Sequence, residues 1–132
     1  MSRVFADTFY FLALLNRDDP AHRRALADAR SAAQIVTTEF ILLELGNACA
    51  KAADHADFLS LVAGMRASPR VHTVPLATEL LDAGLALLRQ RPDKDWSLTD
   101  CISFAVMERN GLHEALTGDH HFEQAGFHPL LK

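Results

Sequence analysis

Four acidic residues of this chain fall where an apolar segment meets a polar break, a position typical of a cation site at the edge of a core. They are Asp7, Glu44, Asp100 and Asp119. Carboxylates crowded at such an edge lose solvation and repel one another, so the group favours binding of a hard divalent cation. The sequence therefore predicts one metal-binding pocket built from these four side chains.

Glu44 is the acid that is hardest to explain by structure alone. It interrupts the apolar segment 40–45, and two of its helical neighbours one turn back are Phe40 and Ile41. A glutamate in such surroundings is either buried at a cost of several kcal/mol or faces a cleft. We therefore expect Glu44 to face the predicted pocket.

The other three acids also have an ordinary structural explanation. Asp7 and Asp119 follow short apolar segments, where aspartate commonly caps a helix or forms a turn. Asp100 ends the sequence Ser-Leu-Thr-Asp at 97–100, which is a capping-box pattern. Four unrelated caps have no reason to meet at one edge of a sheet, whereas a metal pocket requires it, so the joint pattern favours the pocket.

The elements that must position these acids alternate between strands and helices. Strands are predicted over 4–6, 34–37, 71–76, 115–117 and 128–131. Helices are predicted over 8–16, 21–31, 38–53, 56–67, 78–90 and 97–110. This alternation predicts an α/β three-layer sandwich, in which a mostly parallel sheet of four to five strands is flanked by helices. Ligands bind beyond the carboxyl ends of the strands in such sheets, which is where Asp7 and Asp119 would emerge.

Length and composition indicate an ordinary globular protein. The 132 residues are 49% hydrophobic and 23% charged, enough for one core and too few for two, so 1–132 is expected to be a single domain. The net charge of −4 argues against gripping nucleic acid through bulk positive charge, but it does not exclude nucleic acid as a substrate. The apolar stretch 8–15 is too short to span a bilayer and lacks the flanks of a secretion signal, so a cytoplasmic location is expected.

In the order of these motifs the chain resembles the PIN domain family, in particular the small stand-alone members found as VapC-like toxins of toxin–antitoxin pairs. The resemblance rests on the segments 4–8, 37–45, 95–100 and 116–122, which spread over essentially the whole chain. Its most specific features are the threonine directly after Asp7 and the Thr-x-Asp sequence that ends at Asp119.

The resemblance implies a divalent-metal-dependent endoribonuclease that hydrolyses RNA phosphodiester bonds with Mg²⁺ or Mn²⁺. The catalytic and metal-binding positions of the family carry over onto Asp7, Glu44, Asp100 and Asp119. The positions that would orient the site or the substrate carry over onto Thr8, Asp95 and Thr117. The family varies at His120 and His121, so whether either histidine takes part is left open.

The resemblance also implies RNA as substrate and an antitoxin protein as partner. A homodimer is expected because segments 9–12 and 58–62 carry more apolar surface than one small sheet covers, although a bound partner peptide or a well-filled core would also account for it. No membrane partner is expected, because the apolar stretch 8–15 is too short.

Two other functions remain compatible with the sequence. One is a catalytically idle PIN-like module that binds RNA or protein. The other is a phospho-acceptor signalling domain, which would need a lysine after a strand near the pocket. Lys51, Lys94 and Lys132 are the only lysines, and none follows a predicted strand there.

Overall fold

Residues 2–132, the part of the chain that the computed structural model describes, form a five-stranded parallel sheet flanked by helices. The strands are β1 (Arg3–Ala6), β2 (Gln34–Thr38), β3 (Val71–Val74), β4 (Glu114–Leu116) and β5 (His128–Pro129). Their order across the sheet is β3-β2-β1-β4-β5, and every neighbouring pair is parallel. The predicted α/β sandwich with a parallel sheet is confirmed.

The strands are joined by helices and by one 3₁₀ turn at Ala52–Asp54. The helices are α1 (Thr8–Leu15), α2 (His22–Ser31), α3 (Glu39–Ala48), α4 (His55–Ala67), α5 (Thr78–Gln90), α6 (Leu98–Arg109) and α7 (His120–Gln124). Among residues 2–132, none of these helices is both long enough and apolar enough to cross a bilayer.

The direction of chain growth across the sheet reverses next to β1. The chain adds β2 and β3 on one side of β1 and then returns to add β4 and β5 on the other side. Phe5 pairs with Ala115 and Ala6 pairs with Leu116, so Asp7 leaves the sheet beside Thr117. Crevices at such a reversal, beyond the carboxyl ends of the strands, are the usual ligand sites of open α/β sheets.

The hydrophobic core next to this edge of the sheet is formed by β1 and by closely packed helices. Val4, Phe5 and Ala6 are all buried, as expected for a parallel strand that is covered on both faces. Gly84 allows α5 to approach α6, because a Cβ at this position would collide with the side chain of Ile102. Phe122 of α7 packs edge-on against Phe104 of α6, with ring centroids 4.9 Å apart. The start of α7 is therefore held beside the start of α6.

Two predicted elements end earlier than expected, and one helix was missed. The helix predicted over 38–53 ends at Ala48, and the chain turns at Cys49 before the 3₁₀ turn; the ring of His55 contacts the carbonyl oxygen of Ala50 at 2.9 Å. The strand predicted over 71–76 ends at Val74, because Pro75 has no N–H to donate to the sheet. Helix α7 was not predicted at all. By contrast, the helix predicted over 78–90 is confirmed at both ends.

Candidate active site

Asp7 lies at the carboxyl end of β1 and is only 5% exposed. It occupies the position before α1 without a side-chain capping bond, and its Oδ2 accepts a hydrogen bond of 3.0 Å from the Thr117 hydroxyl. Burial raises the pKa of Asp7 to about 7, and the nearby charges of Asp100 and Glu44 act in the same direction. No lysine or arginine of residues 2–132 forms a salt bridge with it. Asp7 is therefore a buried acid without a cationic partner.

Glu44 is half-buried on α3 and faces the start of α1. Its Oε1 accepts a short hydrogen bond from the hydroxyl of Thr8, the first residue of α1. Its charge contributes to the raised pKa of Asp7, which places the two carboxylates in one electrostatic neighbourhood. The predicted orientation of Glu44 towards the pocket agrees with this placement.

Asp100 caps α6 and also lies close to other side chains of the predicted pocket. It forms a capping box with Ser97: the Ser97 N–H donates to Asp100 Oδ2 at 3.1 Å, and the Asp100 N–H donates to the Ser97 hydroxyl at 3.0 Å. The same Oδ2 lies 3.0 Å from Nδ1 of His121. Burial raises the pKa of Asp100, and the charge of Asp119 adds to this effect. One carboxylate thus starts α6 and also points towards the other acids.

Asp119 is held at the start of α7 by two hydrogen bonds. Its N–H donates to the Thr117 hydroxyl at 3.1 Å, and its Oδ1 accepts from the N–H of His121 at 2.9 Å. The hydroxyl of Thr117 donates to Asp7 and accepts from the backbone of Asp119. This one fully buried threonine therefore links the end of β1 to the turn that follows β4.

The structure places the four predicted acids in one electrostatic neighbourhood, which we call the acidic pocket. Its members are Asp7, Glu44, Asp100 and Asp119. The carboxylate of Asp7 interacts electrostatically with Glu44 and Asp100, and Asp100 interacts with Asp119. Of the predicted supporting residues, Thr8 and Thr117 contact members of the pocket. Asp95 is exposed, and within the described residues no hydrogen bond joins its side chain to any of the four acids.

Sequence reasoning did not assign a role to His121, which joins two members of the pocket. Its Nδ1 lies 3.0 Å from Asp100 Oδ2 and 3.4 Å from Asp119 Oδ1. His120 is more exposed, and its Nδ1 lies 3.6 Å from the same oxygen of Asp119. The signal in the sequence was the pair of histidines directly after Asp119. The pattern did not show that α7 would bring one of them against α6.

The donor set of the acidic pocket fits a hard divalent cation. It offers carboxylate oxygens from β1, α3, α6 and the turn after β4, which are the ligands that Mg²⁺ and Mn²⁺ prefer. Burial raises the pKa of Asp7 and of Asp100, so these carboxylates gain more from a cation than exposed ones would. A bound cation would therefore stabilise the ionised form of both carboxylates.

A concave region lies away from these acids, and we call it the apolar groove. It has a volume of about 540 Å³ and is lined mainly by α1 and α4. The larger apolar side chains that line it are Tyr10, Phe11, Leu14, Leu61 and Met65. No member of the acidic pocket is part of its lining. The groove and the pocket are thus separate regions that share α1.

Comparison with known proteins identifies the family of this chain and several relatives. The model of the PIN domain family matches residues 4–128, a range that contains all four acids. The 23S rRNA-specific endonuclease VapC20 of Mycobacterium tuberculosis is 28% identical over 125 residues, which cover 94% of this chain and 95% of VapC20.

The solved structures show the same relation. The crystal structure of M. tuberculosis VapC20, a toxin that cleaves the sarcin–ricin loop, superposes with a TM-score of 0.84 at 26% identity, covering 94% of this chain and 95% of that one. A chain of a toxin–antitoxin complex from Klebsiella pneumoniae superposes with a TM-score of 0.63 at 14% identity, covering 89% and 87% of the two chains. At this identity the second likeness concerns the fold alone.

Proposed function

This chain belongs to the PIN domain family, and from that premise we propose that it is a divalent-metal-dependent endoribonuclease that hydrolyses RNA phosphodiester bonds. The observation that carries the proposal is the acidic pocket, in which four carboxylates from separate elements meet at the reversal point of the sheet. Its support is the 28% identity to an endonuclease over almost the whole of both chains.

In this proposal the four acids bind the metal ion, and Thr8 and Thr117 orient two of the acids through hydrogen bonds. Asp7, Glu44 and Asp100 are the proposed ligands of the main ion, with Asp119 completing the site directly or through water. When bound, Mg²⁺ or Mn²⁺ supplies an activated water and relieves the charge on the leaving oxygen. Because water and not the ribose hydroxyl is then the nucleophile, the expected products carry a 5′-phosphate and a 3′-hydroxyl.

The residues around the acids fix where the carboxylates point. Thr117 restrains Oδ2 of Asp7, and Thr8 restrains Oε1 of Glu44, so both carboxylates have a defined orientation before substrate arrives. The capping box does the same for Asp100 because Oδ2 is bound to the Ser97 backbone. Such preorganisation matters since a small displacement of a positioning group can cost a large factor in rate.

The substrate and the partners follow from the relatives. VapC20 acts on 23S rRNA and is a toxin, so we propose a structured ribosomal RNA as the first substrate to test and an antitoxin protein as the partner. A homodimer, a cytoplasmic location and a single domain spanning 1–132 complete the proposal. Asp95 remains a candidate for contact with the RNA at the rim of the pocket because it is exposed.

The proposal is tested by RNA cleavage with the wild-type protein and with Asp7→Asn, each with Mg²⁺, Mn²⁺ or EDTA. The substrates are 23S rRNA and an unstructured RNA of similar length. We expect metal-dependent cleavage by the wild type and a loss of roughly a thousandfold or more in the variant, whose side chain cannot bind the cation as a carboxylate does. Asp82→Asn, on the exposed surface of α5, is the matched control and should cleave normally.

Two results would contradict the nuclease. Asp7→Asn could cleave at the wild-type rate, which would exclude the proposed role of the pocket. Alternatively, a folded wild type could bind metal and 23S rRNA without cutting any RNA, which would support the binding module instead.

A further inference from the structure

Next to the acidic pocket the chain groups three potential metal ligands of a different kind. The ligand atoms of Asp119, His120 and His121 all lie within 4.8 Å of one another at the start of α7. The two imidazole rings are tilted by 52°, with centroids 4.4 Å apart. Asp119 belongs to both groups and His121 also contacts Asp100 of the acidic pocket, but the two imidazoles give this histidine cluster ligands that the pocket lacks.

The spacing of these atoms is that of ligands around one small cation. Nδ1 of His121 lies 3.4 Å and Nδ1 of His120 lies 3.6 Å from Asp119 Oδ1. In a tetrahedral site with metal–ligand bonds of about 2.0–2.2 Å, neighbouring ligand atoms are about 3.3–3.6 Å apart. Two of the three ligand pairs therefore already have the spacing of a tetrahedral site, and the third pair, His120 and His121, lies within 4.8 Å.

Part of the cluster is already held in place. Asp119 is fixed through the N–H of His121 and the hydroxyl of Thr117. Nδ1 of His121 lies 3.0 Å from Asp100 Oδ2, and an ion bound at this nitrogen would take the place of its proton. The side chain of His120 is 63% exposed and can turn without disturbing the core. An ion would find one fixed ligand in Asp119, a largely buried one in His121, and an adjustable one in His120 that is open to solvent.

The ligand types determine which ion such a cluster selects. Imidazole nitrogen suits Zn²⁺ and other transition-metal ions, whereas Mg²⁺ prefers carboxylate oxygens and water. Two histidines and one aspartate, with space for water, form the mixed set found around Zn²⁺ with an open position. The acidic pocket contains only oxygen ligands and has the opposite preference.

We propose that Asp119, His120 and His121 form a second metal site, which binds Zn²⁺ or a similar transition-metal ion in preference to Mg²⁺. Binding there does not require the protein to be a nuclease. If the nuclease function also holds, an ion at this site takes up Asp119, and Zn²⁺ then lowers the Mg²⁺-dependent cleavage rate.

The test is metal binding by the RNA-free protein after treatment with EDTA. Zn²⁺ binding is measured by calorimetry in excess Mg²⁺, and Co²⁺ is added as a spectroscopic probe whose visible absorption reports nitrogen ligation. We expect one Zn²⁺ per chain in the wild type and at least about tenfold weaker binding in His120→Ala. His72→Ala removes an exposed histidine from β3, across the sheet, and should bind Zn²⁺ as the wild type does.

The result is independent of the proposed nuclease function because Asp7→Asn keeps all three ligands of the histidine cluster. We expect this variant to bind Zn²⁺ with wild-type affinity even where RNA cleavage is lost. His120→Ala is the decisive variant since it removes no hydrogen bond found within residues 2–132 and should fold normally. Equal Zn²⁺ affinities of wild type and His120→Ala, or no binding of Zn²⁺ and Co²⁺ by the wild type, would overturn the proposal.

Discussion

The acidic pocket and the apolar groove both use α1, but burial has opposite consequences in the two regions. Asp7 and Thr8 lie at the start of the helix and contribute to the pocket, whereas Tyr10 and Phe11 belong to the groove. In the groove, removal of apolar surface from water stabilises the fold. In the pocket, burial raises the pKa of Asp7 to about 7, so the fold holds this carboxylate where its charge is disfavoured.

This difference separates residues that stabilise the protein from residues that stabilise a bound cation. A buried carboxylate without a cationic partner lowers the stability of the metal-free protein at neutral pH. Met65, on the wall of the groove, contributes to stability and touches no acid of the pocket. Neutralising Asp7 and truncating Met65 should therefore change stability in opposite directions at neutral pH, and only the substitution of Asp7 should change metal binding.

The largest expected effect is the pH dependence of stability that arises from Asp7. Its folded pKa of about 7 lies above the ordinary value of 3.8, so the native state binds the proton more tightly than the unfolded state does. Stability is therefore highest at low pH and falls as pH rises from about 4 to about 7. At about 1.4 kcal/mol per pKa unit, the loss is roughly 4 kcal/mol. Urea unfolding in EDTA at several pH values measures it.

Asp7→Asn tests this assignment because asparagine has a similar shape and no charge. Its stability should change much less over the same pH range, with a residual fall from Asp100, whose pKa is also raised by burial. At about pH 8 the variant should be more stable than the metal-free wild type. If both proteins lose the same free energy of unfolding between about pH 4 and pH 8, the buried charge of Asp7 is not the cause.

The second prediction concerns the groove. Met65→Ala removes a side chain that is 6% exposed and should lower the free energy of unfolding by about 2–3 kcal/mol. The value lies at the low end for a buried methionine because the side chain already borders an open groove. Leu59→Ala on the same helix, where the side chain is 63% exposed, should cost less than about 0.5 kcal/mol. Equal losses would show that Met65 is not part of the stabilising core.

The Mn²⁺ affinity of Met65→Ala tests whether the groove and the pocket are independent. Met65→Ala should bind Mn²⁺ as the wild type does while it is folded, because it leaves all four acids in place. A large loss of Mn²⁺ affinity in this variant would mean that the groove and the pocket are not independent.

The acidic pocket could be predicted from the sequence because a parallel sheet imposes it. The carboxyl ends of parallel strands lie at one edge, so an aspartate after β1 and another after β4 must come close if these strands are neighbours. The pairing of Ala6 with Leu116 fulfils that condition. Glu44 could be predicted for a different reason, since an acid in an apolar helical segment needs a polar surface to face.

The role of His121 could not be predicted because it depends on contacts distant in sequence. Helix α7 has only five residues, too few to give a periodic pattern, and its position depends on the packing of Phe122 against Phe104. The early end of α3 has a similar origin. Residues 49–53 favour a helix by composition, but the chain there turns into the 3₁₀ segment Ala52–Asp54 that leads to α4.

The smallest predicted effect on stability comes from Thr117, which connects Asp7 to Asp119. Thr117→Val keeps the shape of the side chain and removes the hydroxyl that donates to Asp7 Oδ2 and accepts from the Asp119 N–H. We expect a loss of about 1–2 kcal/mol, measured by urea unfolding. The pKa of Asp7 should rise further, because the Thr117 hydrogen bond acts to lower it. Mn²⁺ binding at neutral pH should weaken accordingly.

Thr37→Val is the matched control, since it too removes a buried hydroxyl at the edge of the sheet. The hydroxyl of Thr37 donates to the carbonyl oxygen of Ala6 at 2.9 Å and contacts no carboxylate. Both variants should lose a similar free energy of unfolding, but only Thr117→Val should bind Mn²⁺ more weakly and lose stability more steeply as pH rises. If the two variants weaken Mn²⁺ binding equally, Thr117 acts on the fold in general, and its hydrogen bond to Asp7 has no separate effect on the acidic pocket.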